Sequence, residues 1–245
     1  MTDQLTGKIA LVTGAGVRLG RAFALGLAEA GADILVHYNR SQAPAEETAE
    51  LVRNLGRRAV SVGADLSDLE QTQGLLPLAN EKLGPVSILI NSAAIFEAVT
   101  ATETTPAVWQ RHQDINLRAP VLLTQALAAS LAGSPGAVVN LLDWRSLRPG
   151  PDHFAYTIAK AGLAAATQSL ARALAPNIRV NGLALGAILP PADDGETPPS
   201  KIIEQVPLGR WGQVDEAVEA MLFLVAGPGY LTGEIMLLDG GRHLV

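Results

Sequence analysis

The chain contains no cysteine. Disulfide staples, thiolate nucleophiles and thiolate metal sites are therefore excluded, and a cytoplasmic setting is the expectation. Charge is sparse as well: 17% of the 245 residues are charged, the net charge is −6, and no long basic run occurs. That balance argues against nucleic acid as a partner. No uninterrupted apolar run approaches the length of a bilayer span. The start, Met1 to Leu5, lacks a basic region followed by an apolar stretch, so neither a membrane segment nor a secretory signal is expected. No metal site is expected either. Apolar residues, in contrast, make up 48% of the chain. That is enough for a sizeable core in one domain spanning 1–245, and it excludes disorder as the dominant state.

Apolar, β-rich stretches alternate with helical periodicity. Strands are expected at Ile9–Val12, Ile34–His37, Ala59–Val62, Ser87–Ile90, Ala137–Leu142, Ile178–Asn181 and Glu234–Leu238. Helices are expected at Arg18–Ala30, Pro44–Leu55, from about Asp68, at Phe154–Leu174 and at Val214–Val225, with two more separated near Asp114–Asn116. Continuous apolar strands joined by helices make a parallel sheet covered on both faces. Right-handed crossovers then give a doubly wound sheet in the order 3-2-1-4-5-6-7. One proline-rich, acidic loop, Leu189–Pro199, should resist regular structure. It reads either as a surface excursion or as part of a lid over a substrate, covering about 189–206.

The turn Thr13-Gly14-Ala15-Gly16-Val17-Arg18-Leu19-Gly20 follows the first strand and opens a helix. Glycines there let backbone amides approach a pyrophosphate, and the helix N-terminus favours its charge. The end of the second strand selects the nucleotide. It reads His37-Tyr38-Asn39-Arg40-Ser41, with no carboxylate to accept a ribose 2′-hydroxyl or repel a 2′-phosphate. Arg40 can donate to that phosphate in a fork and Ser41 can add a hydroxyl; otherwise Arg40 is a solvated loop cation. Asp65, with Leu66 beside it, follows the third strand; it either accepts from an adenine amino group or caps the next turn. Asn91-Ser92-Ala93-Ala94 ends the fourth strand with small residues on which a cofactor can pack.

Tyr156 and Lys160 stand four apart on one helix face. A lysine ammonium near a phenol favours the phenolate, which would bring Tyr156 down from its usual ~10 to a usable proton donor near neutral pH. Asp143 stands thirteen residues before Tyr156, at the end of the fifth strand. Asn116 either holds a water that relays protons to Lys160 or caps a helix.

On these motifs the chain resembles the short-chain dehydrogenase/reductase family over nearly its whole length. The matching features are the turn 13–20, Asn91-Ser92-Ala93-Ala94, Asn116, the Tyr156/Lys160 pair, and Pro207-Leu208-Gly209-Arg210-Trp211 with Leu238-Asp239-Gly240-Gly241. The resemblance implies a Rossmann-type fold, NADPH/NADP+ as cofactor, hydride transfer from its nicotinamide, Tyr156 as acid, and Lys160 on the nicotinamide ribose. It also implies a homotetramer or homodimer built through helices near 115–132 and 154–174. Three positions depart from the family pattern. Arg18 replaces the second glycine of the turn, Leu185-Gly186 replaces a proline-glycine pair, and Asp143 stands where a serine is usual. Arg18, the run 37–41 and Asp143 look like the pteridine reductases, and the ending 239–244 looks like the bacterial dihydromonapterin reductases. In that branch Phe96 matches the phenylalanine that stacks on the pterin, although simple core packing would also place a phenylalanine there.

Serine can hold a carbonyl oxygen, whereas a carboxylic acid can also deliver a proton. Asp143 therefore points towards a C=N bond, whose reduction puts hydride on carbon and a proton on nitrogen. It could keep Tyr156 protonated or relay a proton to it, and Arg18 could bridge cofactor and pterin. Three functions remain open at this point: a pteridine-type reductase using NADPH, a ketone or 3-oxoacyl-thioester reductase using the same tyrosine, and a protein that senses NADPH without turnover.

Overall fold

The computed structural model describes residues 4–189 and 199–245. Seven parallel strands form one sheet in the order β3-β2-β1-β4-β5-β6-β7, as the crossover rule requires. They are β1 Ile9–Val12, β2 Asp33–Tyr38, β3 Ala59–Gly63, β4 Ile88–Asn91, β5 Gly136–Asp143, β6 Ile178–Leu185 and β7 Ile235–Leu238. The sixth strand runs four residues further than its sequence suggests, because it pairs with β5 along its whole length, from Gly136 opposite Ile178 to Asp143 opposite Leu185.

Alternation along each strand feeds two cores. Ala10, Val12, Ile34, Val36, Ile88 and Ile90 face one side, packed beneath α1 (Arg18–Glu29), α2 (Gln42–Asn54) and α8 (Val214–Ala226). Ile9, Leu11, Leu35, Leu89 and Val138 face the other, beneath α3 (Leu69–Leu83), α5 (Ala119–Leu131) and α6 (Phe154–Leu174). Leu11, Leu35 and Leu89 are fully buried, so truncating any of them to alanine would cost about 2–5 kcal/mol.

The expected gap near Asp114–Asn116 is absent. Helix α4 (Pro106–Gln113) passes through a π-helical turn, Asp114–Arg118, directly into α5. Pro120 explains the loosening, since it has no N–H to return to the carbonyl of Asn116, four residues earlier. Residues 190–198 of the expected lid lie outside the described residues; its C-terminal part forms a short helix, α7 (Pro199–Ile203).

The carboxyl ends of β1, β4, β5 and β6 meet on one edge, where the strand order reverses between β1 and β4. A doubly wound sheet opens its ligand crevice there.

Candidate active site

Two adjoining hollows lie along that edge. The first, about 450 Å³, is lined by Gly14, Arg18, Leu19, Gly20, His37, Asn39, Leu66, Ser92, Ala93, Asp143, Tyr156, Lys160 and Gly186, with Ile95, Ile115, Ile188 and Leu189. The second, about 600 Å³, is lined by Gly14, Gly16, Tyr38, Asn39, Arg40, Ser41 and Asp65, with Glu97 and Arg111 at its rim. Residues drawn from eight separate stretches of sequence thus share one continuous cleft.

The glycine turn is held from two sides. Gly14 has a left-handed backbone (φ 66°), and a Cβ on it would stand 3.0 Å from the Cα of Ala93. A Cβ on Gly20 would lie 2.1 Å from the carbonyl oxygen of Gly14. Arg18 also has positive φ, 53°; its backbone sits where glycine would rest without strain, which accounts for the glycine usual at that position. Thr13 Oγ1 accepts from the amides of Ser92 and Ala93 (2.9 and 3.0 Å), tying the exit of β1 to that of β4.

His37 does something the sequence did not suggest. It is buried, its Nδ1 accepts the Gly14 N–H (3.1 Å), and its Nε2 donates to the carbonyl of Ala64 (3.0 Å). Burial lowers its pKa to about 4, partly opposed by the Ala64 bond and by Asp65. A neutral imidazole therefore staples the turn to the end of β3. The amides of Gly14 and Ala15 are both committed to His37, the latter through its backbone carbonyl, so a pyrophosphate must be met further round the turn, where α1 begins.

Arg40 and Ser41 face the second hollow, and the Ser41 hydroxyl makes no capping bond to α2. Asp65 is engaged locally. Its Oδ1 accepts from the amide and hydroxyl of Ser67 (2.9 and 2.7 Å), while Asp68 is the residue that caps α3.

Asn91 and Asn116 differ from expectation. The Asn91 side chain is buried and donates to Asn140 Oδ1 (2.8 Å), while Asn140 Nδ2 donates to Thr167 Oγ1 (2.9 Å). This buried chain of amides links β4, β5 and α6 and does not line the cleft. Asn116 lies inside the π-helical turn, so it caps no helix. Its amide exchanges two 3.0 Å bonds with the backbone of Ile95, accepting from N–H and donating to C=O. It pins the chain leaving β4 through these two bonds.

Tyr156 is buried, and its hydroxyl donates to Asp143 Oδ2 at 3.2 Å. The phenol is not tuned as the Tyr/Lys spacing suggests. Burial, followed by the charge and hydrogen bond of Asp143, pushes its pKa well above 10, and only Arg145 acts the other way. Lys160 is buried too; its ammonium donates to the carbonyl of Leu141 at 2.5 Å, and burial lowers its pKa to about 8 against the pull of Asp143. At rest Tyr156 is therefore a neutral acid presented to a carboxylate, with a buried ammonium behind it.

Phe96 is 45% exposed, so it is not a core residue. His153 stacks on it (centroids 3.8 Å apart, 16° between planes), and the Tyr156 ring meets it edge-on at 4.7 Å. His153 and Arg145 went unnoticed in the sequence, although Arg145 lies only two residues beyond Asp143.

Residues 14–243 match the model of a family described as enoyl-(acyl carrier protein) reductase. Among curated relatives, the 2-dehydro-3-deoxy-D-gluconate 5-dehydrogenase of Escherichia coli is 32% identical over 97% of this chain and 96% of its own length. The 3-oxoacyl-[acyl-carrier-protein] reductase of a Synechocystis species is 31% identical over 97% of each. Among solved structures, FolM alternative dihydrofolate reductase 1 from Brucella canis, complexed with NADP, superposes with a TM-score of 0.90 at 34% identity, over 99% of this chain and 96% of that one. Fold and site define an oxidoreductase that works with a nicotinamide nucleotide. The chain belongs to the short-chain dehydrogenase/reductase family.

Proposed function

We propose that this protein reduces a C=N bond of a pteridine, a dihydropterin or a dihydrofolate-like ring, with NADPH. The observation that carries the reading is the hydrogen bond from Tyr156 to a carboxylate, Asp143, inside the cleft. The likeness to the NADP complex of an alternative dihydrofolate reductase supports it.

The cleft fits the cofactor. Side chains at Gly14 and Gly20 would collide with the turn and its neighbour, so the floor stays open for a pyrophosphate. Arg40 and Ser41 face the hollow beyond it, and Asp65, a carboxylate in the same lining, is already engaged by Ser67. That donor set suits a 2′-phosphate. When bound, NADPH supplies the hydride.

The protein's own residues handle the proton. Tyr156 gives its hydroxyl proton to the ring nitrogen as the neighbouring carbon is reduced. Asp143, when protonated, refills the phenol; when ionised, it keeps the phenol from losing its proton to solvent. The ammonium of Lys160, 5.9 Å from the centre of the Tyr156 ring, would stabilise the negative charge that develops on the phenol oxygen. Phe96, partly exposed and braced from one side by His153, offers an aromatic plane for a flat ring. Arg18, in the lining of the same cleft, would reach a polar ring edge.

A ketone or 3-oxoacyl-thioester reductase is the second reading, favoured by the curated relatives that act on such substrates. NADPH oxidation measured against dihydropterins, dihydrofolate, quinones and small ketones separates the two. The account expects turnover of a pterin that Tyr156→Phe abolishes while NADPH still binds. No turnover with any pterin, alongside turnover of ketones, would select the second reading. Tight NADPH binding with no substrate reduced would make the protein a sensor.

A further inference from the structure

We propose that Arg145 is a positioning residue for this reaction: its guanidinium and backbone hold the Oδ1 side of Asp143 and tie it to Asp152, so that Oδ2 is the edge turned to the Tyr156 hydroxyl. This inference rests on the reading of Asp143 and Tyr156 as the proton-handling pair.

The Arg145 backbone N–H donates to Asp143 Oδ1 at 2.8 Å, and the Asp143 N–H in turn meets Ser146 Oγ at 3.3 Å. Strand β5 therefore ends in a tight turn, Trp144–Ser146, that fixes the carboxylate from below. The Arg145 side chain then folds back. Its Nη1 lies 3.8 Å from the same Oδ1, and its Nη2 donates to Asp152 Oδ2 at 3.0 Å. Oδ2 of Asp143 is the atom that remains to accept from Tyr156.

Two aromatic rings flank this guanidinium: it lies 5.1 Å from the Trp144 ring centroid and 6.0 Å from that of Phe96. Asp152, its second partner, stands 3.7 Å from His153, which stacks on Phe96. One planar fork thus connects the Asp143 carboxylate, through Asp152, with the Phe96/His153 stack. A lysine at 145 would keep the charge but could not hold both carboxylates in a fixed plane.

The charged and titratable groups around Asp143 are Tyr156 and Lys160 from α6, Arg145 from its own turn, and Arg242 from the C-terminal turn. Arg145 alone among them bridges two carboxylates. Its side chain is 15% exposed, so a solvated-cation role does not explain its place.

A double-mutant cycle on the single-turnover rate tests the inference, using whichever acceptor the parent enzyme reduces. Arg145→Met is expected to slow the reaction by about 100-fold, the loss typical of an ångström-scale misplacement, with NADPH binding unchanged. Arg145→Lys should recover part of that loss, which also guards against a variant that merely folds badly. In an Asp143→Ser background, Arg145→Met should add little, because its partner is gone. Equal losses in both backgrounds, an unchanged rate, or no recovery by lysine in a folded protein would overturn the proposal. Failure of the pteridine reading shows separately, as a parent enzyme that turns over only other acceptors.

Discussion

Replacing His37 with asparagine should remove most of the stability that the parent loses on mild acidification. The imidazole is neutral and buried, with its pKa lowered from 6.5 to about 4. An unfolded chain takes up a proton on His37 near 6.5; the folded protein resists until about 4. Between those values the unfolded state binds more protons, so stability falls as pH falls. The contribution is complete above 6.5 and lost on the way down to 4. The linkage relation puts the loss at about 2.5 kcal/mol by about pH 4.5. Asparagine can still accept the Gly14 amide but does not titrate. Urea unfolding of parent and variant at about pH 8 and about pH 4.5 gives the test, because carboxylate titration is common to both and cancels in the difference. The parent should lose about 2.5 kcal/mol more than the variant. Identical losses would mean that His37 is protonated in the folded state, and the staple on Gly14 would be wrong.

Two other substitutions probe the nucleotide end. Arg40→Ala should weaken NADPH by about 1.5–3 kcal/mol, the worth of a charged hydrogen bond, and leave NADH almost unaffected; titration of both nucleotides checks this, and an equal effect would refute 2′-phosphate recognition. Gly20→Ala should destabilise the protein by about 1–3 kcal/mol, because the new Cβ meets a backbone oxygen at 2.1 Å that no rotamer change can move. Thermal unfolding with and without NADPH should show both a lower midpoint and a smaller shift on adding cofactor.

Most of the architecture could be read from local pattern. Helix α6 begins at Phe154 and ends at Leu174, where its periodicity places it, and the sheet order follows from chain handedness. The glycine turn and the Tyr156/Lys160 pair were legible because each is a short motif whose parts meet through the helix or turn that contains them. What was not legible depends on distant partners. Asn91 pairs with Asn140, 49 residues away, and Asn116 with Ile95, 21 residues away; nothing near either asparagine announces its partner. The Tyr156 phenol was misjudged for a related reason. Four-residue spacing puts Lys160 on the same helix face, but burial and Asp143 set the phenol, and burial is a property of the whole fold. Arg145 was overlooked because its role is to bind Asp143 and Asp152 at once, a geometry visible only when the turn after β5 has folded.

The most direct test of the central claim is the rate of hydride transfer in Asp143→Ser, compared for a dihydropterin and for a ketone. If the carboxylic acid form of Asp143 refills the proton that Tyr156 gives up in C=N reduction, pterin reduction should fall by about 100-fold or more, while ketone reduction and NADPH affinity stay close to the parent values. Equal losses for both substrates, or none for either, would contradict the account.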